Sequence, residues 1–377
     1  MKRPQSILIF IHSLSCGGAE RVAANLANHW AGKGWRVTVV TLAAQSEDFY
    51  QLHPAVKRVA LNLSGASHNP LTALINNLRR IFALRRVLRR VRPDVALGMM
   101  VSSNVQLTLA ATGLRGLVTI GSEHIHPPQL PLSRLWEGLR RFCYGNLEAV
   151  TALTTESRDW LLHHTKVKKV AVIPNAVPWP LPTQAPWLIP QAVLPPGQKL
   201  LLAVGRLCEQ KGFDLLIDAF GQIAAEHADW YLVILGEGPL RDNLAAQIAS
   251  TGLEGRVLLP GRVGNVSDWY AAADLYVMSS RFEGFGNTLA EAMAHGVPAV
   301  SFDCDTGPRD IIRHEVDGLL VPPGDVAALC AAWRRLMGDD VLRRQFAARA
   351  IEARERFSME WIIGMWETLF EELQHGK

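Results

Sequence analysis

The sequence predicts an α/β protein built from two doubly wound, parallel-sheet units. Three observations carry that expectation. Short apolar or β-branched runs alternate with longer helical stretches, the alternation stops at a Pro-rich segment and restarts after it, and the charge balance changes sign across the break. With 377 residues, 49% hydrophobic and 20% charged, the chain is long enough to bury two large cores. Residues 1–182 hold 22 Lys and Arg against 9 Asp and Glu, whereas residues 183–377 hold 17 against 26. Opposite balances point to units with different partners.

In the first unit, residues 1–175, the runs SILIFIH, RVTVVTL, KRVALNL, DVALGMM, LVTIGS, AVTALTT and KVAVIPNAV read as strands. They are continuously apolar rather than alternating, the pattern of parallel strands covered on both faces. AERVAANLANHWAGKG and SRLWEGLRRFCYG read as covering helices. A third helix, within residues 69–94, carries seven arginines. At 100° per residue Ile81, Leu84, Leu88 and Val91 share one face, and Arg79, Arg86 and Arg90 line the opposite one. That arginine face is either a solvated surface on a core-packed helix or a contact for anionic lipid or a lipid-linked pyrophosphate, worth ~1 kcal/mol per cation near an anionic leaflet. Nucleic acid is not expected as a partner, because no recognised binding motif or aromatic interleaving accompanies the charge.

The stretch PNAVPWPLPTQAPWLIPQAVLPPG contains eight prolines and reads as the interdomain linker, residues 176–198. KLLLAVG, WYLVILG, RVLLPG, DLYVMSS and VPAVSF then supply the strands of a second unit, residues 199–356. FDLLIDAFGQIAAEHA, PLRDNLAAQIAS, NTLAEAMAHG and DVAALCAAWRRLMG supply its helices. SMEWIIGMWETLFEELQ reads as one amphipathic helix within residues 357–377 that can pack back on the first unit. Two such units joined by a hinge are expected to face each other across a cleft, where the carboxyl ends of their strands bind ligands.

Five scattered cysteines without a CxxC pair indicate neither a disulfide framework nor a zinc site and fit a reducing cytoplasm. SLSCGGAER, residues 13–21, is open to two readings: the end of an export leader carrying a lipid anchor at Cys16, or a strand-to-helix loop that receives a phosphate. The apolar run before it is short for a leader and is interrupted by His12. No uninterrupted apolar stretch approaches the roughly 20 residues of a membrane span, so any membrane contact is expected to be peripheral.

The segment RFEGFGNTLAEAMAHGVP, residues 281–298, concentrates the chemistry. It follows a strand, supplies Gly284 and Gly286, and opens a helix at Asn287, so backbone N–H groups and a positive helix end are presented to a phosphate. Glu283 and Glu291, with seven residues between them, either hydrogen-bond hydroxyl groups of one extended ligand or merely bias a helix start toward negative charge. In VGRLCEQKGFD, Arg206 and Lys211 sit just after a strand. There they are two solvated cations, or a pair that repel each other unless an anion such as a diphosphate lies between them. The aspartates of DCD, residues 303–305, are not expected to hold a metal, Asp305 instead being placed to cap the next helix.

In order, GGAER, GSEH, PNAV, VGRLCEQKG, LGEGP, PGRV, EGFGNTLAE and DGLLVPPGD make nearly the whole chain resemble a retaining glycosyltransferase of family 4, with the two-Rossmann GT-B fold. The resemblance implies that Arg206 and Lys211 hold a donor diphosphate and Glu291 the ribose hydroxyls. It gives the donor sugar to Glu283 and the N–H groups around Gly284, Phe285 and Gly286. Asn287 and Thr288 would add phosphate contacts, and Val263 would meet the base through its backbone. It also decides SLSCGGAER in favour of the loop, with Gly17 and Gly18 close to the diphosphate and the reacting sugar.

His124 of GSEHIHP would lie beside the acceptor hydroxyl and the donor sugar, with His126 as its rival. The implied reaction is metal-independent, needs no cofactor, and keeps the anomeric configuration, a leaving-group phosphate oxygen taking the acceptor's proton. The partners expected are a nucleotide sugar of the UDP class, a lipid-linked or envelope glycan, and an anionic membrane surface on the cytoplasmic side. A sugar-nucleotide epimerase or hydrolase of the same fold, and a non-catalytic glycan- or lipid-binding protein, stay open as alternatives.

Overall fold

The computed structural model describes residues 5–65 and 69–375. The chain divides into two compact units, one of Met1–Asn175 with Ile362–Lys377 and one of Ala176–Trp361.

Seven strands of the first unit fall where the apolar runs place them: β1 (Ser6–Ile11), β2 (Arg36–Thr41), β3 (Lys57–Ala60), β4 (Val95–Met99), β5 (Val118–Ser122), β6 (Ala149–Ala152) and β7 (Val170–Val172). They form one parallel sheet in the order β3-β2-β1-β4-β5-β6-β7. The direction of winding reverses between β1 and β4, and at such a switch point the loops leaving the two strands part and open a ligand crevice. β1, β4, β5 and β6 are buried along their whole length, which is why their sequences do not alternate.

The arginine-rich helix Pro70–Val91 packs Leu84 and Leu88 into this unit's core, with Ile81, Val87 and Val91 beside them. The helix Met359–His375 rejoins the first unit from Ile362 onward. Its Phe370 lies 5.5 Å from the Trp30 ring and its Trp366 meets Trp30 edge-on, while Trp30 stacks on Trp35 at 5.7 Å. Aromatic pairs of this kind add about 0.5–1.5 kcal/mol each beyond the area they bury.

The second sheet holds β8 (Lys199–Val204), β9 (Trp230–Leu235), β10 (Val257–Gly261), β11 (Leu275–Met278), β12 (Ala299–Phe302) and β13 (Gly318–Val321), ordered β10-β9-β8-β11-β12-β13 and again parallel. Its switch point lies between β8 and β11. Its core runs from Phe220 and Trp230 to Trp333 and Phe346.

The Pro-rich segment is fastened along its length to this second unit. Gln184 and Pro186 bond the backbone of Gly264, Leu188 exchanges two hydrogen bonds with the Asn265 amide, and Trp179 lies under the Arg354 guanidinium at 3.5 Å. Its prolines leave it only a 3-10 turn, Pro190–Ala192, and the missing ladder bonds are replaced by these backbone and side-chain ties.

The structure adds elements to those expected from the sequence and corrects one expectation. The stretch around Ser102, Ser103, Asn104 and Gln106 is a helix, Val101–Ala111, whose polar side chains are largely buried and bonded, as Asn104 is to Ser122 and Tyr144. β13 and the helices Thr155–His164, Val266–Ala272 and Asp340–Ala350 are additional elements. Asp305 does not cap the following helix: that helix begins at Pro308, and Asp310 accepts from the Gly307 N–H at 3.0 Å.

Candidate active site

In the second unit the site is assembled from the two loops that leave β8 and β11. They are stitched together: Ser279 Oγ donates to the Lys211 carbonyl at 2.9 Å, the Arg281 N–H to the Gln210 carbonyl at 2.8 Å, and Gln210 Nε2 to the Phe282 carbonyl at 3.0 Å. The Arg281 guanidinium forks onto both oxygens of Asp214, which holds that carboxyl below its ordinary pKa. The glycines of LGEGP serve the same construction, since a Cβ on Gly236 or Gly238 would lie 1.9 or 2.3 Å from the carbonyls of Gly205 and Leu207. LGEGP is therefore the wall against which the β8 loop rests.

This frame brings Lys211 and Glu283 together. Lys211 Nζ contacts Glu283 Oε1 at 2.5 Å, and Ser280 Oγ donates to the same oxygen at 2.6 Å. Lys211 is thus no solvated cation, and its charge is answered within the chain rather than only by a ligand. Glu283 Oε2 accepts from no group among the described residues. Arg206 is exposed, and among the described residues its guanidinium has no hydrogen-bond or ion-pair partner.

Residues 283–286 are buried, and the N–H groups of Gly284, Phe285, Gly286 and Thr288 meet no acceptor among the described residues. Buried backbone donors are nearly always paired, so the three at Gly284, Phe285 and Gly286, with the half-buried Thr288 N–H in the open first turn of the next helix, leave this turn able to take an anion. Gly286, at φ +103, caps the helix Asn287–Ala294, whose first turn carries no acidic side chain to neutralise its positive end. Thr306 Oγ1 fixes the Glu283 carbonyl at 2.6 Å. Tyr276, its phenol pushed well up in pKa by burial, donates to Thr288 Oγ1 at 2.8 Å.

Glu291 is buried and accepts from the Tyr270 hydroxyl at 3.1 Å. The Phe285 ring packs edge-on against Phe357 at 5.3 Å, and Asn287 is partly buried. Val263 is partly exposed just beyond β10, and its backbone N–H and carbonyl bond nothing among the described residues. Asp303 of the DCD pair is held by Arg309 Nε at 2.8 Å.

In the first unit the predicted residues lie on the loops after β1 and β5. Gly17 is the N-cap and Gly18 the first residue of the helix Gly18–Gly32. A Cβ on Gly17 would collide with the Glu20 carboxyl at 2.2 Å. Burial raises the pKa of that carboxyl, to which Ser13 donates at 3.5 Å.

His124 is 8% exposed, its Nε2 lies 3.0 Å from Ser122 Oγ, and its buried Nδ1 has no partner among the described residues. Burial lowers its pKa to about 4, so the ring is neutral at physiological pH. His126, the rival, is committed to Ser157 at 2.9 Å. Glu123 escaped the sequence reading: burial lifts its pKa to about 7, and the Tyr144 hydroxyl donates to it. Only its adjacency to His124 could have signalled it.

On the helix Pro70–Val91, Arg79, Arg86 and Arg90 are all exposed, and so are Leu71 at 68%, Leu74 at 58% and Phe82 at 65%. Among the described residues no helix is long and apolar enough to cross a membrane.

The description "Glycosyl transferases group 1" matches residues 198–339, and "Glycosyltransferase Family 4" matches residues 16–178. An exopolysaccharide phosphotransferase of Streptomyces coelicolor is 35% identical over 77% of this chain, which spans only 30% of that protein's length. An alpha-1,4-N-acetyl-D-galactosaminyltransferase of Campylobacter jejuni, named for a diNAcBac-PP-undecaprenol-linked acceptor, is 28% identical over 98% of this chain and 99% of its own. Among solved structures, HepE of Anabaena in complex with UDP and glucose superposes with a TM-score of 0.79 at 21% identity, over 98% of this chain and 99% of that one, a likeness of fold. These comparisons give no support to an epimerase, a hydrolase or a non-catalytic binding protein.

Proposed function

This chain belongs to glycosyltransferase family 4, and on that premise we propose that it moves a sugar from a nucleotide donor onto a lipid-linked saccharide or another cell-envelope glycan. The donor is of the UDP-hexose or UDP-N-acetylhexosamine kind. One observation carries the reading: the turn whose N–H groups at Gly284, Phe285, Gly286 and Thr288 are unpaired among the described residues begins at Glu283, which is ion-paired to Lys211, and the loop of Lys211 also carries Arg206, whose guanidinium has no partner among the described residues. Such a cradle suits two linked phosphoryl groups, while the open Oε2 of Glu283 suits a sugar hydroxyl. Glu291 takes the ribose hydroxyls and the Val263 backbone the base.

The leaving nucleoside diphosphate gains negative charge as its bond to the anomeric carbon breaks. Arg206, Lys211 and the positive end of the helix Asn287–Ala294 stabilise that charge most when it is greatest, which is how they accelerate transfer. The acceptor oxygen bonds the anomeric carbon on the face the diphosphate leaves, and its proton passes to a phosphate oxygen, giving retention. Neither a metal nor a cofactor takes part.

The acceptor side belongs to the first unit, with His124 at the saccharide. Peripheral attachment to the cytoplasmic face of an anionic membrane is supported by Arg79, Arg86 and Arg90 sharing a helix with exposed Leu71, Leu74 and Phe82, charge for the headgroups and apolar surface for the acyl boundary. The Campylobacter relative's undecaprenol-linked acceptor supports a lipid-borne substrate.

The deciding experiment incubates the protein with a panel of nucleotide sugars and a membrane lipid extract and identifies the product by mass spectrometry. A saccharide-extended lipid is expected. Donor consumption that needs no acceptor would instead make the protein a hydrolase or an epimerase.

A further inference from the structure

The parallel register sets Ser122 of β5 directly beside Thr151 of β6. Thr151 Oγ1 donates to Ser122 Oγ at 2.8 Å, and Ser122 Oγ in turn lies 3.0 Å from His124 Nε2. Ser122 and Thr151 are each about 1% exposed, so water does not compete for these bonds. A hydroxyl carries a single proton. With Thr151 already donating to Ser122, the Ser122 proton has one acceptor among the described residues, His124 Nε2.

In the opposite arrangement His124 would donate from Nε2, the Ser122 proton would be buried without an acceptor, and the Nδ1 lone pair would be unmet as well. Two unmet groups cost more than one. In the favoured arrangement the proton sits on Nδ1, the buried atom that has no partner among the described residues. Burial keeps the ring neutral, with a pKa of about 4, and the neighbouring Glu123 carboxyl is taken by Tyr144.

We propose that Ser122 and Thr151 are positioning residues that lock His124 as its Nδ1–H tautomer, so that it offers a fixed hydrogen-bond donor to a saccharide oxygen during transfer. The inference rests on the reading that His124 meets the sugar. It assigns His124 no proton abstraction, because the only lone pair of the ring is spent on Ser122. It also gives the Ser of GSEH and a Thr on the neighbouring strand a role in the reaction.

The test is a long-range proton–nitrogen correlation spectrum of protein labelled with nitrogen-15 histidine, the His124 signals being assigned by their loss in His124→Ala. The wild type should show Nδ1–H. Ser122→Ala should abolish the preference and lower kcat about tenfold with little change in donor KM, since a misplaced donor is felt in the transition state. Thr151→Val should shift the tautomer the same way, and Thr151→Ser, which keeps the hydroxyl, should restore it. That pair also serves if Ser122→Ala does not fold. An Nε2–H signal in the wild type, together with an inactive His124→Ala, would overturn the inference and leave the reading of His124 standing. An Nδ1–H signal with a fully active His124→Ala would overturn that reading, and the catalytic role of the relay with it.

Discussion

Arg206 and Lys211 are both cations on the loop after β8, yet their surroundings predict different consequences of removing them. The Arg206 guanidinium is exposed and has no partner among the described residues, so Arg206→Ala should cut nucleotide-sugar turnover about 100-fold, the worth of one charge-assisted contact, with the melting temperature unchanged. Lys211→Ala strips the counter-charge from buried Glu283, and should lower stability by roughly 1–3 kcal/mol in addition to abolishing turnover. Parallel kinetics and chemical denaturation would separate the two, and equal melting temperatures for both variants would contradict the ion-pair account. Glu123 offers a test that does not depend on activity. Its carboxyl pKa is raised by burial from 4.5 to about 7, so the native state binds the proton more tightly than the unfolded chain does, and stability falls as pH rises between those values. Glu123→Gln removes that loss, and its stability relative to wild type should grow from pH 4.5 to 7, by at most about 3 kcal/mol. A constant difference across that range would show that Glu123 is ionised in the native protein. Both residues mark a limit of sequence reading. Residue type and spacing single out Arg206 and Lys211, but that Glu283 is the internal partner of Lys211 follows only from two loops 72 positions apart meeting in space.

At the level of elements, the turn before the helix Asn287–Ala294 depends on a neighbouring glycine. Gly307 sits at φ +97, with a notional Cβ 2.3 Å from the Phe285 carbonyl. Gly307→Ala should therefore cost about 1–3 kcal/mol and move the cradle, lowering turnover more than an alanine elsewhere on the surface would. Circular dichroism melts with donor kinetics would check this. The helix Pro70–Val91 makes a separate prediction. Leu74→Ser with Phe82→Ser should weaken binding to anionic liposomes at all salt concentrations, whereas Arg86→Ala with Arg90→Ala should weaken it mainly at low salt. Unchanged co-sedimentation in both would remove the membrane surface from the account. Periodicity gave this helix its buried face, because Leu84 and Leu88 recur at the helical spacing. The helix Val101–Ala111 was not legible in the same way. Asn104 and Gln106 are polar yet buried, Asn104 bonding Ser122 and Tyr144 and Gln106 Nε2 bonding Asn77 on distant segments, so the apolar stripe that announces a covering helix is broken.

For the molecule as a whole, the doubly wound architecture was legible because buried parallel strands announce themselves as uninterrupted apolar runs. β13 was not, since GLLV is four residues long and lies between Asp317 and a Pro-rich turn. The winding that puts the switch points beside β1 and β8 is a property of the sheet order, which a single strand's residues do not encode. If the second unit's own cations and N–H groups carry the leaving charge, turnover should be unaffected by EDTA, and a rate restored only by added magnesium or manganese would refute that part of the account. The most direct measurement is a crystal structure of the protein with UDP. The account predicts phosphoryl oxygens on the N–H groups of Gly286 and Thr288 and within reach of Arg206 and Lys211, with the ribose on Glu291. A nucleotide bound away from residues 283–291, leaving Arg206 and Lys211 untouched, would contradict it.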